Sequence, residues 1–436
     1  MPNPGEEINA MLTRRTALLA GAAALAARAV PRAQAQTSLD VLFANPSFAR
    51  FFTPIAEAFT RANPDVRIAF RQPAPNYDEQ HQALLRGALT NQLPDVTFPG
   101  FNRLPELART LAQRGQILDL APLMAEEGAA WKDANYASRM LALGQVDGTQ
   151  YGIPFNASSP VAYYNPELLR RAGADPEAFP TAWDAVVALG ARIKAAVPEA
   201  MGVSYYVNSF DSDWLWQALV QQGGGRMLNA AGNAPAFGDA AGQAAIRLAR
   251  RFVAEAGMGL IGDDQNRQQF AAGRTGVIFD SPARLSVITG LVGGRFPLRT
   301  APFPITDAAR GGVPTGGNAA VILARDPSKR TAAWRYVKFS TGPEAQKIAV
   351  EMTGYLPTNL RASAEEFLGG YYRQNPNAAS AARQADKSLP WEDYGANGPR
   401  IHRMQQEVLT AVMRGDIAPE AGLERMVPQT ASMMRG

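Results

Sequence analysis

His81 and His402 are the only histidines in this 436-residue chain, and it contains no cysteine. A zinc site built on them would need several carboxylates to complete it. A Ser-His-Asp triad would need one of the two imidazoles as its base. Both histidines fall on helical stretches among polar residues, where surface exposure is expected. "WEDYG" places Glu392 and Asp393 side by side. Acid/base catalysis needs two carboxylates facing one substrate, which sequence neighbours rarely do, so a solvated loop is expected there. "GMGLIG" at 257–262 spells G-x-G-x-x-G. A dinucleotide fingerprint sits between a strand and a helix; here a helical stretch precedes the glycines and the polar "DDQNRQQ" follows. No phosphate-loop signature occurs.

Another kind of chemistry is concentrated in "GIPFNASSPVAYYNPELLRRAG", residues 152–173. Asn156, Ser158 and Ser159 stand between Pro154 and Pro160. They offer donors and acceptors without a reactive group, which suits holding a molecule better than changing it. Aromatic residues at turns fit the same use, because they stack on the apolar faces of sugars and polyols. Tyr355 in "TGYLPTN" falls on a turn rather than a core face, and Trp391 and Tyr394 lie in a Pro/Gly-flanked loop. Trp214 and Trp216 are two apart on a helix, so at most one faces a given partner.

Alternating elements must position these groups. Strands are expected over 39–44, 66–71 and 95–98, with helices over 51–62, 77–90 and 104–113 between and after them. This alternation predicts a mostly parallel sheet covered by helices. Asp147-Gly148 marks a hairpin turn. A second α/β region follows, with helices over 181–196 (Thr181 as N-cap), 213–222 and 240–256. Its strands are expected over 202–207 and 275–280, with another near 320, and the last hundred residues read as mainly helical. The length calls for two or three lobes.

The N-terminus reads differently. Arg14 and Arg15 precede an uncharged apolar run over 16–27, and Ala33-Gln34-Ala35 offers an A-x-A cleavage site. This is the plan of a secretory signal over 1–35, with paired arginines suited to the twin-arginine route and Met11 a plausible start. The formal charge is +4, and residues 1–35 contribute four arginines against two glutamates, or +2, leaving +2 for the exported chain. That balance gives little support to a nucleic-acid partner. Without cysteine, the exported chain has no disulfide and no thiolate metal site.

The stretch "PFNASSPVAYYNPELLRRAGADPEAFPTAWDAVVALGARIK" resembles the central signature of extracellular solute-binding proteins, the ligand-capturing subunits of ABC importers. "FTRANPDVRIAF", "NYDEQHQALLRGALTNQLPDV" and "FAAGRTGVIFDSP" extend the likeness along the chain. "TGGNAAVIL", "TGYLPTN" and "YYRQNPNAASAARQ" are similar to the branch of periplasmic glycerol-3-phosphate-binding proteins. The resemblance implies an α/β, periplasmic binding protein-like II fold: two lobes with a ligand cleft and hinge closure. It places lobe 1 at 36–155 with 310–355 and lobe 2 at 156–309 with 356–436. It further implies a monomer in the periplasm that takes a small polyol phosphate or sugar, hands it to ABC permease subunits, and uses neither cofactor nor metal. The residues it carries over as ligand contacts are Tyr77, Ser158 with Ser159 beside it, Ser281, Gly317 and Tyr355. The sequence departs from the branch twice. Phe101 in "FPGFN" stands near the place of a ligand-binding glutamate. "YGANGPR" lacks the branch's phosphate-neutralising arginine, leaving Arg400 as the nearest substitute. A neutral glycoside is therefore an alternative ligand, and a secreted glycan or phosphodiester hydrolase is the rival from another class.

Overall fold

The computed structural model describes residues 36–207, 212–392 and 394–435; the arginine pair at 14 and 15 lies outside them. The chain opens with β1 (Thr37–Leu42), α1 (Ala49–Ala62), β2 (Val66–Phe70), α2 (Tyr77–Thr90), β3 (Val96–Thr97) and α3 (Leu104–Ala112). After a short hairpin, β4 (Gly152–Ser158) runs into β5 (Val161–Tyr164). The second region continues with α4 (Trp183–Ala196), β6 (Met201–Ser204), α5 (Ser212–Gln221), α6 (Ala240–Ala254), α7 (Asp263–Ala271), β7 (Thr275–Asp280), α8 (Leu285–Val292) and β8 (Arg299–Pro302). Next come β9 (Val313–Ile322), α9 (Pro327–Ser340), α10 (Pro343–Thr353), β10 (Ser388–Pro390), α11 (Gly398–Arg414) and α12 (Pro419–Arg435).

Two main sheets result. The first has the order β10-β9-β3-β1-β2, with β4 also paired to β9, and the second has the order β8-β5-β7-β6. The expected parallel core is present, since β1 pairs parallel with β2 and β3, and β6 with β7. β9 also pairs parallel with β10, but other pairings differ from expectation: β9 runs antiparallel to β3 and β4, and β5 antiparallel to β7 and β8. The cause is the crossing of the chain between sheets. A strand returning from the other lobe enters without a helical crossover, so it is not held to the parallel direction.

Local sequence explains most of the elements. In α1, Phe51, Phe52, Ile55 and Phe59 form a buried stripe at helical spacing. Asn76 caps α2 by accepting from Glu79 N at 2.9 Å, and Asn91 ends it in the left-handed region. This fixes Tyr77 as the first residue of the helix. The expected Thr181 cap is not used: α4 starts at Trp183 after Ala182, with no side-chain cap.

The core of the first lobe gathers around Phe155 of β4, whose ring lies 4.9 Å from Phe52 and 5.0 Å from Phe98. That aromatic cluster anchors one crossing strand firmly in the first lobe. The second lobe packs Trp183, Phe252, Phe279 and Phe303 together, with Ile401, Val408, Val412 and Leu423 of α11 and α12 joining the same core. The 360–374 segment packs on α10 of the first lobe, whereas 376–382 packs on β8 of the second. Among the described residues no helix is long and apolar enough to cross a membrane.

Candidate functional site

Three segments pass between the lobes, and side chains tie them together. Along β4 and β9 the register runs from Gly316↔Ser158 to Val321↔Gly152, with a bulge between Asn318 and Ala319. Gly317, just before this bulge, has φ 116°, and a Cβ there would lie 2.2 Å from Asn156 O. Only glycine suits such a conformation and approach. Asn156 Oδ1 accepts from Asn318 N at 3.1 Å, and Asn318 Nδ2 donates to Tyr77 OH at 2.9 Å. The third segment docks through Leu356 N, which donates to Ala157 O at 2.8 Å, and Thr358 Oγ1, which donates to Pro154 O at 2.7 Å.

The Pro-flanked run is therefore a hinge element before it is a wall of the site. Asn156 braces the bulge. Ser158 Oγ is 2.6 Å from Ser281 Oγ in the turn after β7, linking the lobes through two hydroxyls. Ser159 is fully buried and accepts from Gln384 Nε2 at 2.9 Å.

Beside these strands lies a cavity of about 360 Å³ between the lobes. Its wall includes Tyr77, Ser158, Ser281, Gly317 and Tyr355, five of the seven candidate ligand contacts, the six carried over and Arg400. The other two are elsewhere. Ser159 is spent inside the hinge, and Arg400 is exposed at the start of α11, away from the cavity wall. Phe101 is also buried away from the wall. Arg400, offered above as the substitute cation, is not among the cavity-lining residues: it is the third residue of a helix whose apolar face (Ile401, Val408) is turned into the second lobe's core.

The sequence reading missed the charged groups of the cavity: Arg50 from α1, Arg267 from α7, Asp280 at the end of β7 and Arg284 in the turn that follows. Arg267 Nε donates to Asp280 Oδ2 at 2.7 Å, and its guanidinium also reaches Asp263 at 3.0 Å and Asp264 at 3.2 Å. Asp280 is fully buried and also accepts from Ser281 N at 2.7 Å. This pair is a satisfied buried charge network that fixes the turn bearing Ser281. The run "DSPAR" directly after an apolar strand was the available signal, because it joins a strand end, a cap residue and two charges.

Aromatic side chains complete the wall: Phe48, Tyr206, Trp214 and Trp391. Trp214 Nε1 donates to Pro314 O and Trp391 Nε1 to Asp213 Oδ2, each at 2.9 Å. With both indole N–H groups tied back, the two rings are held in place, their centroids 6.3 Å apart. Trp216 faces the core instead. Tyr355 is 8% exposed and meets Phe48 edge-on; although its backbone lies on a turn, its ring is more buried than expected. Burial pushes the Tyr355 phenol up to about 12, against the opposing fields of Arg284 and Arg50. Burial likewise raises Tyr77 well above the ordinary phenol range. Both are neutral hydroxyls at physiological pH, able to donate to a ligand oxygen.

The other candidates for chemistry do not converge. His81 is buried, with Nε2 3.2 Å from Glu106 Oε2, and His402 lies 3.4 Å from Asp213. Both were expected on the surface. Each has a carboxylate partner on another helix, which allows the ring to turn inward. Glu392, expected in a solvated loop, is partly buried: Oε2 accepts from Leu228 N at 2.5 Å, and burial pushes its carboxyl up to about 7. Among the described residues no group of three or more histidine, aspartate or glutamate side chains could hold a metal.

Comparison with known proteins agrees with this architecture. The family described as bacterial extracellular solute-binding protein matches residues 54–379. The sn-glycerol-3-phosphate-binding periplasmic protein UgpB of Agrobacterium fabrum is 24% identical over 72% of this chain and 74% of its own. Its counterpart from Escherichia coli is 22% identical over 87% and 88%. Among solved structures, the sugar-binding protein MalE of Xanthomonas citri superposes with a TM-score of 0.78, at 21% identity, over 92% of this chain and 98% of that one. UgpB of Mycobacterium tuberculosis in complex with glycerophosphocholine gives 0.77, at 22% identity, over 91% and 98%. The shared fold is thus that of two-lobed solute-binding proteins.

Proposed function

The chain belongs to the bacterial extracellular solute-binding proteins, and from that premise we propose that it captures a small hydroxylated ligand, a glycerol-3-phosphate-like compound or a carbohydrate, in the interlobe cavity and delivers it to an ABC permease from the periplasm. The observation that carries this reading is the convergence of Tyr77, Gly317 and Tyr355 from one lobe and Ser281 from the other on one cavity, with Ser158 at the crossing. Hydroxyls there supply hydrogen bonds to ligand oxygens. Tyrosine, tryptophan and phenylalanine rings cover a carbon skeleton.

The cavity wall also argues against hydrolysis. Asp280 is the only carboxylate on it among the described residues, and that group is fully engaged with Arg267. Glycoside cleavage needs two carboxyl groups about 5–9.5 Å apart across the scissile bond. Binding without reaction remains, and closure of the lobes around the ligand is its structural consequence.

Small-angle scattering with and without a bound glycerol phosphate or sugar tests this function. Closure shortens the particle at saturating ligand. A curve that does not change on saturation contradicts the hinge mechanism.

A further inference from the structure

The cavity holds three arginines, and their surroundings differ. Arg267 has carboxylate oxygens from three aspartates within 3.2 Å. Arg50 and Arg284 are exposed cavity-lining residues, and neither makes an ion pair with any described carboxylate. Exposed arginines elsewhere are found both paired, as Arg71 is with Asp40, and without an ion pair among the described residues, as Arg86 and Arg114 are. What sets Arg50 and Arg284 apart is that both line one cavity with their guanidinium donors left available.

Their placement is built. Arg50 lies in the first turn of α1, two residues after Phe48, whose ring contacts Tyr355. Arg284 closes a turn begun by Asp280 and Ser281, where Ser281 Oγ accepts from Ala283 N at 3.2 Å. This turn packs against the Tyr355 segment at Gly354, where φ is 94° and a Cβ would lie 2.6 Å from Pro282 O. Tyr355 is thus the common neighbour of both arginines, and both fields act on its phenol. The cations come from different lobes, Arg50 from the first and Arg284 from the second.

We propose that Arg50 and Arg284 form the anion subsite of the cleft, holding the negatively charged group of a polyol or sugar ligand between the two lobes. This rests on the cleft being a solute-binding site, and it moves anion recognition away from the C-terminal loop, where Arg400 does not reach the wall. Guanidinium groups suit the role because they stay charged and present several donors to an oxyanion. The same geometry links charge to closure. Without ligand, two like charges on opposing lobes resist approach; an anion between them reverses the sign of the interaction.

The test is titration calorimetry with glycerol 3-phosphate, glycerophosphocholine, glucuronate and maltose, on wild type and on Arg50→Gln, Arg284→Gln and the double Arg50→Lys/Arg284→Lys variant. Each glutamine variant should lose roughly ten- to one-hundred-fold in affinity for the anionic ligands, the worth of a charged hydrogen bond, and leave maltose unaffected. The lysine variant should recover part of the loss, and wild-type affinity for the anions should fall with added salt. Thermal melting of each variant controls for folding, and the salt dependence needs no variant. Unchanged anion affinity in both glutamine variants overturns the proposal, and so does a wild type that binds maltose alone or none of the anions. Tyr355→Ala judges the cleft separately. If it weakens whichever ligand binds while the arginine variants do not, the cleft stands and the anion subsite falls. If it changes nothing, the cleft reading itself fails.

Discussion

Replacing Gly317 with alanine tests the hinge at its most constrained point. The residue has φ 116°, and an alanine Cβ would sit 2.2 Å from Asn156 O, where ordinary contact begins at about 3.4 Å. Holding a non-glycine residue in such a conformation costs about 1–3 kcal/mol. Pushing β4 away to relieve the clash adds roughly 1–3 kcal/mol, as overpacking does elsewhere. The shift also disturbs the hydrogen bond from Asn318 N to Asn156 and the one from Asn318 Nδ2 to Tyr77. A total of about 2–6 kcal/mol, set against roughly 2.1 cal/mol/K of unfolding entropy per residue, should lower the melting temperature by roughly 2–7 °C, and ligand affinity should fall with it. Circular dichroism melts and calorimetry on the purified variant provide the readout. Gly317→Ala melting within one degree of wild type, with full affinity, would refute the reasoning that this bulge demands glycine.

Other perturbations reach different parts of the molecule. Burial lifts the Glu392 carboxyl from an ordinary 4.5 to about 7, so the folded state binds its proton more tightly than the unfolded chain. This contribution to stability is complete below pH 4.5 and is lost as pH rises through 7, by up to about 3 kcal/mol; denaturant titrations of Glu392→Gln across that range should show a flatter profile than wild type. Arg267→Gln strands Asp280 as a buried unpaired charge and should destabilise by about 3–5 kcal/mol, whereas Arg267→Gln with Asp280→Asn should recover much of the loss in the same assay. Outside the described residues, Arg14→Lys with Arg15→Lys should hold the precursor in the cytoplasm; normal accumulation of the double variant in the periplasm, seen by fractionation, would contradict twin-arginine export.

Features governed by neighbouring residues were legible in the sequence. α2 spans Tyr77–Thr90 because Asn76 caps one end and Asn91 closes the other, both local effects. The strand Thr275–Asp280 is a compact apolar run with a clear stop. The five wall residues were reached through resemblance, since nothing in their own spacing brings Tyr77 near Tyr355. Features set by tertiary closure were hidden. The direction of β9 depends on how the chain crosses between lobes. The burial of His81 and the partial burial of His402 depend on Glu106 and Asp213, carboxylates on other helices. Arg50 and Arg284 meet the same cavity only because α1 and the turn after β7 converge on the Tyr355 segment. Arg400, the nearest cation in sequence to the missing one, does not line the cavity; it is exposed at the start of a helix whose apolar face packs into the second lobe.

The most direct measurement is mass spectrometry of the small molecule released from protein purified without refolding, comparing wild type with Tyr355→Ala/Ser158→Ala. Wild type should release one small hydroxylated compound bearing a phosphate or other anionic group, in near-stoichiometric amount, and the double variant should release much less. A compound released equally by both proteins would contradict capture in the interlobe cavity.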